Sequence, residues 1–211
     1  MANTAAFAGI NGLREIRRSP ASHLAQALEA GSVPGKVVLK EGPFQTMAGI
    51  RVDPNSEEGA RIASVAGGLP ARCGEVSGKE GVSVLWLGPS EFLVVAPEEA
   101  HDSLGGDLIG SLTAALGDAP GQVVDLSANR TTFELTGPRA RAVLEKGCAL
   151  DLHPRSFTPG TAVSTEVGNI PVALLKSGEE SFRLFPRASF ADYLGRWLLD
   201  AMREFASPEV P

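Results

Sequence analysis

Cysteine is scarce in this chain, which contains only Cys73 and Cys148 among 211 residues. The two cysteines lie far apart and form no C-x-x-C spacing, so the sequence predicts neither a disulfide framework nor a thiolate metal site. A chain of this length that is 43% hydrophobic can bury a stable core without disulfides or structural metal ions. These features favour a protein of the reducing cytoplasm.

Histidine is almost as scarce, and His23, His101 and His153 lie at no spacing from one another or from cysteine that suits zinc. Asp151 and His153 could form an acid/base pair, but the proline that follows favours a turn. The sequence also lacks a Walker loop, a G-x-G-x-x-G fingerprint and a nucleophile elbow. We therefore expect no metal site and no nucleotide site on this chain, and we assign no catalytic residue.

Long apolar runs are missing too, since no segment approaches the roughly 18 consecutive apolar residues of a membrane helix. The first ten residues do not have the form of an export signal. There is no basic excess, because 19 Lys and Arg face 25 Asp and Glu for a formal charge of -6. The sequence thus predicts a soluble, cytoplasmic protein that binds neither membranes nor nucleic acids.

What the sequence does contain is an internal repeat with an offset of about 90 residues. Two strand-like runs at residues 82–87 and 91–97 flank a turn and predict a β-hairpin. The runs at 170–175 and 181–186 predict a second hairpin of the same kind. The chain therefore reads as two related halves.

A helix is expected after each hairpin, because apolar residues recur there on one helical face. The matching positions are Leu104, Leu108, Ile109 and Leu112 in the first helix and Leu194, Leu198, Leu199 and Met202 in the second. Ser189 is the candidate N-cap of the second helix, with Asp192 in its first turn and Pro208 beyond its end. Gly106 and Gly110 would give the first helix a small-residue face against which something packs.

Similar elements are expected upstream of each hairpin. The patterns predict strands at 45–52 and 131–135 and helices at 56–65 and 138–146. Each half then has the order β-α-β-β-α, which predicts an α+β fold of two similar ferredoxin-like half-chains. The predicted segments are an N-terminal arm at 1–30, a first half at 31–119, a second half at 120–206 and a C-terminal tail at 207–211. The arm could form a short helix, reach a partner or fray.

The most polar segment between apolar strands spans residues 125–130. Ser127, Asn129 and Arg130 could together bind a carboxylate if the fold provides a pocket. Alternatively, Asp125 and Ser127 would hydrogen-bond to nearby backbone and shape the entrance to the next strand. The sequence leaves both interpretations open.

The segment at 124–127, with residues that follow it, resembles the aminomethyltransferase superfamily, to which the glycine-cleavage T-protein belongs. The resemblance rests on residues 124–127 and 135–140, followed in order by Leu144, Asp151, Gly160, Thr165, Phe182, Ser189 and Trp197. It covers residues 33–205 and implies a fold similar to the aminomethyltransferase folate-binding domain. A shared fold does not by itself imply a shared function.

Two further segments, at 87–93 and 147–154, are similar to the gamma-subunit family of heterotetrameric sarcosine oxidases. That resemblance implies a complex that oxidatively demethylates sarcosine to glycine, yields formaldehyde or methylenetetrahydrofolate, and reduces oxygen to hydrogen peroxide. It implies alpha, beta and delta subunits as partners. FAD, FMN, NAD and zinc would lie on those subunits, with none on this chain, and the complex would use tetrahydrofolate.

The chain departs from the T-protein pattern where folate chemistry needs an acid. The T-protein places an aspartate there that positions the tetrahydrofolate amine, whereas residues 165–172 offer no carboxylate at the corresponding place. The resemblance thus implies a non-catalytic subunit with an assembly role. One alternative is an autonomous folate-binding, aminomethyltransferase-like protein, with Glu166 as its candidate carboxylate. Another is a free-standing binding or maturation protein on the same fold.

Overall fold

A computed structural model describes residues 17–42, 44–79 and 81–206 of the chain. Five α-helices lie in these residues: α1 (Ala25–Gly31), α2 (Glu57–Ala66), α3 (Leu108–Leu116), α4 (Ala140–Glu145) and α5 (Ala191–Ala206). Ten strands accompany them: β1 (Val38–Glu41), β2 (Thr46–Arg51), β3 (Val76–Ser77), β4 (Ser83–Gly88), β5 (Glu91–Ala96), β6 (Gln122–Asp125), β7 (Phe133–Thr136), β8 (Ala162–Val167), β9 (Ile170–Gly178) and β10 (Ser181–Pro186). None of these helices is long and apolar enough to cross a bilayer.

The strands form two five-stranded antiparallel sheets, which confirms the expected α+β class. The first sheet has the order β3-β4-β5-β2-β6, and the second has the order β8-β9-β10-β7-β1. The two orders correspond position by position, since each sheet places a hairpin beside the strand that precedes the first helix of its half. Both predicted hairpins are present, as β4–β5 and β9–β10.

The two sheets pack face to face, and helices cover their outer faces. On β5, Phe92 and Val94 are buried with residues of α2 and α3, whereas Leu93 and Val95 point into a core shared with the second sheet. This division follows from the alternation of side chains along a strand. Phe182 of β10 is buried beneath the helices of the second sheet, as Phe92 is in the first. The layers therefore run helix, sheet, sheet, helix.

The sheets do not divide where the predicted halves meet. Strand β1 comes from the first predicted half but pairs with β7 in the second sheet, and β6 comes from the second half but pairs with β2 in the first. The repeat could not reveal this exchange, because pairing between distant strands leaves no local periodicity. We call residues 46–125 the first unit, and residues 17–41 together with 133–206 the second unit.

The described part of the predicted arm belongs to the core of the second unit. Helix α1 packs on α5, and Leu24 and Leu28 are 2% and 3% exposed in the same core as Phe133. His23 Nε2 lies 2.7 Å from the Asp192 carboxylate on α5. Residues 1–16 and the predicted tail lie outside the described residues.

The first repeated helix starts later than predicted. Helix α3 begins at Leu108, so Leu104 and Gly106 precede it. The Asp102 carboxylate accepts hydrogen bonds from the backbone N–H groups of Ile109 and Gly110, at 3.0 and 2.8 Å, and so caps the helix from outside. The close neighbours of Gly106 and Gly110 are Ala100 and Asp102. The predicted small-residue face is therefore filled by the turn that precedes the helix.

The predicted N-cap of the second repeated helix was wrong, whereas an unpredicted N-cap was found in the first unit. Ser189 lies within a short 3-10 turn at Ala188–Phe190, and α5 begins only after that turn. Ser56 caps α2, because its hydroxyl accepts a hydrogen bond from Gly59 N at 3.0 Å. Gly67 ends α2 with a φ of 87°, a left-handed conformation that glycine adopts without strain. Pro208 lies outside the described residues.

Candidate functional site

The segment that the sequence marked as polar links the two units beside a cavity of about 380 Å³. Leu126 N extends the β6 ladder by donating to Met47 O at 2.8 Å, and Asn129 N closes a turn onto Leu126 O. The chain then enters β7 in the other sheet. We call this space the polar cavity; it is lined by Arg17, Arg18, Ser19, Pro20, Gly42, Phe44, Gln45, Met47, His101, Ser103, Asp125, Ser127, Ala128, Arg130, Thr131 and Thr132.

Ser127 lines the polar cavity, but its hydroxyl is engaged by backbone. It accepts a hydrogen bond from Met47 N at 3.0 Å, while Ser127 N donates to Asp125 Oδ1 at 2.9 Å. These bonds agree with the alternative in which Asp125 and Ser127 hydrogen-bond to nearby backbone. Ser127 therefore joins β6 to β2 at the floor of the cavity.

Arg130 and Asn129 are separated by the fold. Arg130 lines the polar cavity and donates from Nη1 to Phe185 O at 2.7 Å. Asn129 is exposed and is not among the lining residues of this cavity. The structure thus brings Ser127 and Arg130 to one cavity and leaves Asn129 outside it.

A histidine–aspartate pair that the sequence did not predict forms one wall of the polar cavity. His101 Nε2 lies 2.9 Å from Asp125 Oδ2, and His101 Nδ1 accepts a hydrogen bond from Ser103 N at 3.1 Å. A general base needs a ring nitrogen that can reach its substrate. Both nitrogens of His101 already have partners, so the pair holds the 3-10 turn after β5 against the end of β6.

The electrostatics of the cavity are mixed. Partial burial raises the pKa of Asp125, but the hydrogen bonds from Ser127 and from His101 outweigh that effect, so its pKa lies below the ordinary value. The Arg17 guanidinium lies 4.1 Å from the centre of the Phe44 ring and pairs with Glu98. The negative charge of Asp125 and the positive charges of the arginines thus face the same space.

Glu166, the candidate carboxylate of the folate-dependent alternative, does not line this cavity. Glu166 is exposed on β8, in a shallow depression that also includes Cys148 and Asn169. The carboxylate of Asp125 does line the polar cavity, but it is hydrogen-bonded to Ser127 and His101. Glu166 therefore lies outside the polar cavity, and Asp125 is already hydrogen-bonded within the chain.

The other candidate for acid/base chemistry is a turn, as predicted. Asp151 Oδ1 accepts a hydrogen bond from His153 N at 3.0 Å, and His153 Nδ1 accepts one from Arg155 N. Within residues 17–42, 44–79 and 81–206, no three His, Cys, Asp or Glu side chains are grouped so as to hold a metal ion. Asp151 and His153 therefore shape the loop after α4.

The chain is similar to known proteins over nearly its whole length. It is 52% identical over 197 residues to "Sarcosine oxidase subunit gamma" of Arthrobacter sp., covering 92% of this chain and 94% of that protein. It is 50% identical over 200 residues to the protein of the same name from Corynebacterium sp. (strain U-96), covering 93% and 95%.

Solved structures give the same picture. A chain of the heterotetrameric sarcosine oxidase from Corynebacterium sp. U-96 superposes with a TM-score of 0.87 and 50% identity, over 93% of this chain and 100% of that one. The glycine cleavage system aminomethyltransferase T of Bartonella henselae superposes with a TM-score of 0.57 at 17% identity, over 83% of this chain and 48% of that one. The second likeness shows a shared fold alone.

A family profile agrees with these two comparisons. The profile of the sarcosine oxidase gamma subunit family matches residues 57–204. This range includes most of the first unit and α5 as far as Glu204. The match spans both sheets and the polar segment between them. The chain therefore belongs to the sarcosine oxidase gamma subunit family.

Proposed function

We propose that this chain is the gamma subunit of a heterotetrameric sarcosine oxidase, in which it has an assembly role and no catalytic role. The observation that carries the proposal is its 50% identity to a chain of a heterotetrameric sarcosine oxidase, over the full length of that chain. Identity at this level over matched lengths supports a shared place in such a complex.

The non-catalytic part of the proposal is supported by the polar cavity. Two of its polar side chains are used within the chain: Ser127 bonds to backbone, and His101 bonds to Asp125 and Ser103. Catalytic groups are instead placed where they can reach a substrate atom. The cavity therefore fits a joint between the two units better than a reaction centre.

In the proposed complex, sarcosine is demethylated to glycine while oxygen is reduced to hydrogen peroxide. The one-carbon unit leaves as formaldehyde, or as methylenetetrahydrofolate when tetrahydrofolate accepts it. The partners are alpha, beta and delta subunits, and FAD, FMN, NAD and zinc are held by those subunits. We place the complex in the cytoplasm, in keeping with the low cysteine content.

We also propose that the two units are ferredoxin-like half-chains of common design. This proposal is supported by their corresponding strand orders and by the equivalent positions of Phe92 and Phe182. The second unit takes its outer strand from the N-terminal side of the chain, whereas the first takes its outer strand from the C-terminal side.

Co-expression with the products of the neighbouring genes tests the proposed assembly. A tag on this chain should capture yellow, flavin-containing material that consumes oxygen when sarcosine is added. Omitting this chain should lower the yield of assembled complex more than the turnover per bound flavin. Capture of the chain alone would contradict membership of the complex, and an unchanged yield with lower turnover per flavin would contradict the non-catalytic role.

A separate titration tests the folate-dependent alternative. Tetrahydrofolate is titrated into the purified chain and into its Glu166→Gln variant by calorimetry. We expect no saturable heat from either protein. Micromolar binding that the variant loses would favour an autonomous aminomethyltransferase-like protein.

A further inference from the structure

Two arginines face each other where the polar segment meets the end of β10. Thr131 N donates to Pro186 O at 3.2 Å and Ala188 N donates to Asn129 O at 2.8 Å, so Arg130 and Arg187 form an antiparallel bridge between these bonds. A pair flanked in this way is of the non-hydrogen-bonded type, in which the side chains approach most closely. The two guanidinium-bearing side chains therefore leave the backbone side by side.

This arrangement is electrostatically costly in the absence of an anion. Like charges directly opposite each other in a strand pair are destabilising, and neither arginine forms an ion pair with a carboxylate among the described residues. Glu91 attracts Arg130 from a distance but forms its own ion pair with Arg51, at 3.0 Å. The positive charge at this point is thus only partly balanced.

Arg130 is under-used as a hydrogen-bond donor. It is half-buried, it donates from Nη1 to Phe185 O, and its Nε is buried with no hydrogen-bond partner in the described part of the chain. Burial first, and the neighbouring Arg187 second, lower the pKa of Arg130, whereas Glu91 raises it. A guanidinium stays charged under such conditions, so the side chain remains a charged donor.

Both arginines open onto a cleft between the two sheets, with a volume of about 500 Å³. We call it the arginine cleft; it is lined by Leu87, Glu91, Arg130, Ser164, Thr165, Pro171, Val172, Ala173, Arg187 and Phe190. Ser164 lines the cleft on the β8 side, whereas the Thr165 hydroxyl lies 3.7 Å from Cys148 Sγ, and the remaining surface is largely apolar. Clefts of this size, with a few convergent polar groups on apolar walls, suit small ligands.

We propose that the arginine cleft binds a small monocarboxylate, whose carboxylate is held between Arg130 and Arg187. The planar guanidinium donors match the two oxygens of a carboxylate, and the added negative charge removes the repulsion between the two side chains. Leu87, Ala173 and Phe190 provide apolar lining for a short aliphatic remainder. Glu91 disfavours a second negative charge, so the cleft selects monocarboxylates over dicarboxylates.

Binding of propionate to the purified full chain, measured by calorimetry, tests the proposal. Propionamide is the uncharged comparison ligand. Arg187→Gln removes one of the facing charges, and Arg155→Gln is the matched control because Arg155 is also exposed but lies outside the cleft. We expect propionate, but not propionamide, to bind saturably, with affinity at least tenfold weaker in Arg187→Gln and unchanged in Arg155→Gln. Equal binding of both ligands, or equal losses in both variants, would overturn the proposal.

Thermal unfolding without ligand gives a second test that does not depend on the choice of carboxylate. Arg187→Gln should raise the melting temperature because it relieves the repulsion, and it should abolish the further rise that propionate causes in the wild type. A lower melting temperature for Arg187→Gln, with the response to propionate intact, would show that Arg187 is already balanced within the chain and would contradict the proposal.

Arginine labelling distinguishes a free carboxylate from one supplied by another subunit. Phenylglyoxal is applied to the full chain and to the assembled complex, and modification of Arg187 is followed by peptide mass spectrometry. Protection of Arg187 by propionate in both samples supports a small-molecule site. Protection in the complex without added propionate, and none in the isolated chain with it, would assign the cleft to a partner's acidic side chain and overturn the small-ligand proposal.

Discussion

The two units finish the outer edges of their sheets differently. In the second unit, the edge strand β1 lies beside α1, and the segment carrying both packs into the same core as α5. In the first unit, the edge strand β6 is mostly exposed, and its Val124 is 42% exposed. The first unit is built from one continuous stretch of chain, whereas the second depends on docking a distant N-terminal segment. Equivalent substitutions in the two units should therefore have different effects.

The largest expected effects come from the matched phenylalanines, Phe92 and Phe182. Both are buried, so truncation to alanine should lower the free energy of unfolding by about 3 to 5 kcal/mol. Phe182→Ala should lie at the upper end, because Phe182 also stacks on Phe157 and has the buried Lys176 ammonium 5.9 Å from its ring centre. Urea unfolding of the two variants measures the difference, and a smaller loss for Phe182→Ala would contradict this expectation.

Two helical glycines test whether the N-terminal segment belongs to the core. An added Cβ at Gly195 in α5 would lie 2.8 Å from Leu24 and 3.2 Å from the Phe133 ring, whereas at Gly110 in α3 it would meet only the Asp102 carboxylate at 2.9 Å. Gly195→Ala should destabilise by about 1 to 3 kcal/mol through overpacking. Gly110→Ala should change stability by less than about 0.5 kcal/mol, since the gain in helix propensity offsets a small shift of Asp102. Thermal unfolding of both variants measures these losses of stability. Similar losses in the two variants would argue against packing of the N-terminal segment into the core of the second unit.

Capping residues give a smaller contrast between the units. Ser56→Ala in the first unit removes the hydrogen bond to Gly59 N and should cost about 1 kcal/mol. Ser189→Ala in the second unit is the matched control, and it should cost less than about 0.5 kcal/mol because Ser189 lies inside the 3-10 turn. Chemical denaturation measures both values. A reversed order would mean that Ser189 caps α5 after all.

The smallest expected effects concern stability at acid pH. They allow a comparison of the His101–Asp125 pair in the first unit with the His23–Asp192 pair in the second. Hydrogen bonding from His23 first, and from Arg196, lowers the pKa of the exposed Asp192, and the partly buried Asp125 also has a lowered pKa. Each carboxylate thus contributes stability that is present above the ordinary aspartate pKa of about 3.9 and is lost as pH falls through the lowered value.

Unfolding free energies of Asp125→Asn and Asp192→Asn, measured from neutral pH into acid, check this expectation. Below neutral pH, the free energy of unfolding should fall less steeply with decreasing pH in each variant than in the wild type. The loss at neutral pH should be below about 1 kcal/mol for Asp125→Asn and smaller again for Asp192→Asn, whose partners are more exposed to solvent. A steeper fall of the free energy of unfolding with decreasing pH in Asp125→Asn would contradict the lowered pKa of Asp125.

Local patterns in the sequence predicted the local structure well. Alternating apolar residues and a central turn are sufficient to predict each hairpin, and both hairpins were confirmed. Helix starts were less predictable, because a serine followed by an acid can also stand inside a 3-10 turn, as Ser189 does. Ser56, which is followed by Glu57 and Glu58 in the first turn but has Gly59 where a capping box has Glu or Gln, is the cap that forms.

Features that join distant parts of the chain could not be predicted from one sequence. The pair of His101 with Asp125 and the facing of Arg130 with Arg187 arise from tertiary packing. Of the candidate site residues, Arg130 was recognised because it stands in a polar segment. Its partner Arg187 follows an ordinary strand and carried no signal.

The exchange of outer strands imposes an order on folding during synthesis. All strands of the first unit leave the ribosome in one stretch, so that unit can close early. Strand β1 emerges before it and must wait until Phe133–Thr136 has been made before its register partner exists. Strand β1 therefore stays unpaired while the first unit is completed. During that interval β1 is most exposed to pairing with a wrong strand.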